Sequence, residues 1–66
     1  MNTKALRGEI VTHFGTQNVF AEHIGWHKNK VSKMIQHKYK PNSDEICRIA
    51  NVLNLSESKF AEIFLN

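Results

Sequence analysis

Residues 17–36, QNVFAEHIGWHKNKVSKMIQ, constrain the fold of this chain more than any other stretch. They read as two short helices meeting at a sharp turn. Gly25 can take the positive φ that such a turn requires. Ala21 is small enough to let the helices cross closely. Phe20, Ile24, Trp26, Val31 and Met34 are spaced to bury one face of each helix. The second helix carries no acid and places Lys28, Lys30 and Lys33 within two turns.

The flanking sequence also reads as helices joined by short loops. Asn2 or Thr3 can cap a first helix in which Leu6, Ile10 and Phe14 recur every four residues, with Ala5 and Val11 beside them. Gly8 interrupts this stripe at a cost of about 1 kcal/mol relative to Ala. Gly15 ends the helix. Thr16 caps the second, from Gln17 to His23 or Ile24, and the third runs from His27 or Lys28 to Gln36. Pro41 pushes Lys40 out of helical geometry and separates the next element. Asn42 and Glu45 have capping-box spacing, and Asp44 and Glu45 suit the positive end of a helix dipole. Ile46, Ile49, Ala50 and Leu53 form the apolar stripe of this fourth helix, with Val52 at its margin and Cys47 expected as a small core residue beside it. Ser56 caps a short fifth helix with Phe60, Ile63 and Phe64 as its apolar positions. No hairpin dipeptide or convincing alternating run occurs. The expected fold is all-α: a single domain over residues 1–66, built as a compact bundle of four to five short helices.

Size bounds the function. A domain of this length buries only about 60% of the surface its unfolded chain exposes, which leaves no room for a deep catalytic cleft beside a scaffold. The single cysteine excludes an intrachain disulfide and fits a cytoplasmic protein. Apolar runs are too short for a membrane span, and the first 25 residues lack the apolar stretch of a signal peptide. The net charge of +3 is modest, but its distribution is uneven. From His23 to Asn42 there are five lysines and no acid; all six acids lie outside that window. Clustered positive charge is the footprint expected for a polyanion partner, although a solvated lysine-rich face has the same composition.

Gln17, Ala21, Gly25 and Val31 match the spacing of the phage repressor/Cro-type helix-turn-helix family, which the chain resembles. The likeness extends to the amphipathic helix before them, the proline-containing loop after them, and Leu53–Asn54–Leu55–Ser56. It covers nearly the whole chain and implies a lambda-repressor-like fold. Small single-domain regulators of phages and prophages are the nearest sub-type. Two positions depart from the family pattern. His27 stands where Ser or Thr usually caps the third helix, and is expected to cap poorly. Gln36–His37 replaces Asn-Gly after that helix; histidine takes positive φ less readily, so a different loop path is expected.

The resemblance implies a double-stranded DNA-binding transcriptional regulator, acting as a repressor, with residues 28–36 as the recognition helix in the major groove. That docking mode brings the N-terminal part of the helix to base edges. Lys28 and Asn29 are then the leading base readers, with Ser32 and Lys33 one turn on. Gln17, Lys30, Gln36, Lys38, Tyr39 and Lys40 are the expected phosphate contacts. Relatives commonly pair on palindromic sites. A homodimer here would use Phe60, Ile63, Phe64 and Leu65, unless Phe60 and Phe64 simply close the core. The alternative is a protein-binding helix-turn-helix module, such as an antitoxin or antirepressor. Nonspecific single-strand or RNA binding wants exposed aromatic platforms, and only Tyr39 fits that role.

Other chemistries find little support. Trp26, directly after the turn glycine, reads as a buried linker rather than a base-stacking wedge. Tyr39 lies in the basic loop, where loop packing competes with a backbone contact. His23 and His27 are four apart, but Gly25 breaks the helix between them, so no metal site is expected. No nucleophile elbow, phosphate loop or paired-carboxylate motif is present, so no enzyme, cofactor or small-molecule ligand is expected.

Overall fold

Five helices begin on five side chains that each accept a backbone N–H. Asn2 accepts from Ala5, Thr16 from Val19, His27 from Asn29, Asn42 from Glu45 and Ser56 from Lys59. Each satisfies one of the orphan donors at a helix start. The helices are α1 (Thr3–Phe14), α2 (Gln17–Ile24), α3 (Lys28–Ile35), α4 (Ser43–Val52) and α5 (Glu57–Phe64). The computed structural model describes residues 1–65, and among these it is helical with short connections and no strand. The expected all-α bundle is the fold of the chain.

Three helices end alike. At the end of α2, Gly25 has φ 80° and ψ 27°; its N–H reaches Glu22 O, and the Trp26 N–H reaches Ala21 O at 2.9 Å. This is the Schellman pattern, which needs a left-handed residue. His37 plays the same part after α3 with φ 61°, its N–H on Met34 O and the Lys38 N–H on Lys33 O. Asn54 does so after α4 with φ 50°. His37 thus takes the positive φ that histidine adopts less readily than glycine. Two backbone hydrogen bonds hold His37 in the left-handed region, and its Nε2 shares a further hydrogen bond with Thr3 Oγ1 at 3.1 Å.

The core takes residues from every helix. Leu6 and Ile10 of α1, Phe20, Ala21 and Ile24 of α2, Val31 and Met34 of α3, Ile49 of α4 and Ile63 of α5 are buried, together with Leu53. α1 packs on α2, α3 and α5, while α2 also meets α3 and α4. The helix-turn-helix pair is thus backed on one side by α1 and braced at its turn by α4. Trp26 is half-buried, at the edge of the core.

Two apolar expectations are corrected. Cys47 is exposed. It precedes Ile49 by two residues, about 200° around the helix axis, so it faces away from the core. Val11 is 50% exposed, one residue and about 100° beyond Ile10. On α4, Ile49 carries the burial, while Ile46 and Ala50 are half-buried at its flanks.

Candidate nucleic-acid interface

α3 is built with two unlike faces. Val31 and Met34, three residues apart, are fully buried and fix which side of the helix meets the core. Lys28, Asn29 and Lys33 lie exposed on the other side. All four proposed base readers therefore sit on one element, with Ser32 half-buried at the margin. Ser32 is also engaged within the helix: Gln36 Nε2 donates to its Oγ at 3.0 Å, one turn along.

The start of α3 departs from expectation. His27 has the extended backbone of an N-cap (φ −67°, ψ 143°), and its Nδ1 accepts the Asn29 N–H at 3.1 Å. Nδ1 occupies the place on the side chain that the acceptor oxygen of Asn would occupy, so an imidazole reproduces an asparagine cap. The poor capping expected of His27 is thereby corrected. This use also separates the two histidines. The His23 ring lies against Phe14, with centroids 4.8 Å apart, while His27 is spent on the helix start.

The expected phosphate contacts divide into two groups. Lys38 and Lys40 are exposed on the loop after α3, and Gln36 is exposed at its end. Gln17 is half-buried at the first position of α2, beside its Thr16 cap. Lys30 and Tyr39 are different, because both are half-exposed and already engaged by other groups of the protein. Lys30 Nζ pairs with Glu45 Oε2 and lies 4.2 Å from the Trp26 ring centroid and 5.3 Å from that of Tyr39. The Tyr39 hydroxyl donates to Glu45 Oε1 at 2.6 Å, and the Asn42 N–H donates to the same oxygen at 3.0 Å.

Glu45 joins these parts. It completes the capping box of α4 with Asn42, whose Oδ1 accepts the Glu45 N–H. One carboxylate thus ties α3, the basic loop and the start of α4 together. Its own acidity reflects this. The Lys30 ammonium first, then the Tyr39 hydroxyl and the Asn42 N–H, lower the Glu45 pKa to about 2. Hydrogen bonding to that carboxylate raises the pKa of both Lys30 and Tyr39. The capping-box spacing identified Glu45 as a cap, but its partnership with Lys30 spans fifteen positions and left no local signal.

The residues considered for pairing divide similarly. Ile63 is fully buried and belongs to the core, which corrects its place on a surface. Phe64 is half-buried against the core, and Phe60 lies along it with ring centroids 5.1 Å apart. Leu65 is 73% exposed. Among the described residues, no helix is long and apolar enough to cross a membrane.

No curated protein matches the chain. A family model described as "Protein of unknown function (DUF739)" matches it from residue 1 to residue 66, and the chain therefore belongs to that family.

Proposed function

We propose that this protein is a sequence-specific double-stranded DNA-binding regulator, a phage-type repressor working in the cytoplasm, that lays α3 in the major groove. The observation that supports this most is the two-faced build of α3. Val31 and Met34 are buried beneath it, Lys28, Asn29 and Lys33 are exposed on it, and Lys38 and Lys40 continue the positive charge into the loop. An exposed helix backed rigidly by a core, with cations beyond its end, suits a duplex groove flanked by phosphates. Two such modules on a palindrome would stand about one helical turn, roughly 34 Å, apart. Leu65 and Phe60 would carry their contact.

Base readers and phosphate contacts behave differently. A good base contact contributes about 1–3 kcal/mol of discrimination, whereas a phosphate contact supports all sequences and steepens the salt dependence. Sequences selected from a random duplex pool supply the specific target. Lys28→Ala and Asn29→Ala should then lose preference for that target over random duplex. Lys38→Ala and Lys40→Ala should weaken both alike. Equal effects of the two groups on both DNAs would sink the assignment. The rival reading, a module that binds another protein, predicts no retained selectivity for any fragment in a gel shift at moderate salt.

A further inference from the structure

We infer that Glu45 occupies Lys30 in the place of a DNA phosphate, so that the basic face engages one phosphate fewer than its lysines offer and Glu45 limits sequence-independent binding. The inference rests on the DNA-binding reading above and concerns how that same face is tuned.

Lys30 already has partners within the protein. Lys30 Nζ meets Glu45 Oε2, and its charge also lies over the faces of Trp26 and Tyr39. Each of these favours the ammonium where it is. The carboxylate is equally committed, with Oε2 on Lys30 and Oε1 accepting from Tyr39 and Asn42. Its side chain is only 15% exposed. A phosphate approaching Lys30 would either displace an acceptor of the same charge sign and similar oxygen chemistry, stripping the ammonium from two aromatic faces, or share the ammonium with it and bring two anions side by side. The gain is small either way, and a cation already neutralised within the protein adds little to counterion release from DNA. Lys28, Lys33, Lys38 and Lys40 are exposed and make no ion pair among the described residues. The second of the five lysines in the window is thus withheld while the other four are offered.

Salt dependence on random-sequence duplex reads this directly, because each phosphate contact contributes about 0.9 to the log–log slope. Lys30→Met keeps most of the aliphatic stem and removes the charge; its slope should equal that of the unmodified protein. Glu45→Gln releases the ammonium; its slope should steepen by about 0.9, so that the loss of affinity between 50 and 200 mM salt grows by a further factor of about 3.5. Asp44→Asn changes the net charge by the same amount without freeing a lysine, and should leave the slope unchanged. The double variant Lys30→Met with Glu45→Gln should return to the unmodified slope.

A flatter slope for Lys30→Met would make Lys30 a phosphate ligand and overturn the inference. So would an unchanged slope for Glu45→Gln, equal steepening by Asp44→Asn, or a double variant that stays steep. Helix content by circular dichroism is checked first. If Glu45→Gln does not fold, Lys30→Met alone decides, an unchanged slope supporting the inference and a flatter one overturning it. An unmodified protein that binds no duplex at low salt would remove the functional reading itself, and this inference with it. Duplex binding with a flattened Lys30→Met slope removes only the inference.

Discussion

At the scale of single residues, His27 shows how one side chain can serve where its type is uncommon. Serine, threonine, aspartate and asparagine lead at helix starts because they carry an acceptor near the backbone. The Nδ1 of His27 meets the same requirement, at 3.1 Å from the Asn29 N–H. Removing that acceptor should matter, and replacing it should not. His27→Ala is expected to destabilise the protein by about 1 kcal/mol, whereas His27→Ser should stay within a few tenths of the unmodified protein. Urea titrations followed by circular dichroism measure both. Equal losses for the two variants would mean that the ring contributes by something other than capping. His37 makes a parallel case at the other end of α3. Its left-handed φ of 61° is uncommon for a residue other than glycine, although histidine takes it more often than most, and the hydrogen bonds after the helix demand it. Residue type supplied a preference at both ends, and hydrogen bonding decided the outcome.

At the scale of elements, the position of α3 depends on contacts that come from other helices. The turn between α2 and α3 is held within itself by Gly25, but also from outside by α4. Arg48 Nε donates to Ile24 O at 2.9 Å, on the last turn of α2. A cation there meets the negative end of the helix dipole and an orphan carbonyl together. Arg48→Ala should lower stability by about 1 kcal/mol, the order expected for a partly exposed charge-assisted bond. Thermal melts would show it, and no change in midpoint would rule out a bracing role for Arg48. The helix order, the caps at Thr16, Asn42 and Ser56, and the turn at Gly25 were legible because each depends on neighbours a few residues away. The Arg48–Ile24 and Thr3–His37 contacts span 24 and 34 positions and had no local mark. The exposed side of α3 was legible for the same reason as the caps, since Val31 and Met34 fix it by spacing alone. The engagement of Lys30 and Tyr39 by Glu45 was not.

At the scale of the whole molecule, the Glu45 cluster couples three segments to the ionisation of one carboxylate. Glu45 has a pKa near 2 when folded against an ordinary 4.5. A lowered carboxylate pKa adds stability that is fully present above the unfolded value and is lost as pH falls toward the folded one. The contribution should therefore fade between about pH 4.5 and pH 2, as Lys30, Tyr39 and Asn42 lose a charged acceptor. At the other extreme, Lys30 and Tyr39 have raised pKa values, so their share is present below about pH 10 and declines above it. Unfolding free energies measured from pH 6 to pH 2 should fall more steeply for the unmodified protein than for Glu45→Gln. Parallel curves would place the acid sensitivity on other carboxylates.

The sequence by itself determined the helices, most of their ends, the residues on which each core stripe centres and the exposed face of α3. All of these follow from interactions within about one or two turns of chain, where residue order and spatial order coincide. Tertiary structure decided which lysines of the basic window stay available and that Ile63 is core rather than surface. The reason is that these outcomes depend on how helices distant in sequence cross. Spacing can place a lysine on a helix, but only the packed fold brings a carboxylate from α4 to meet it.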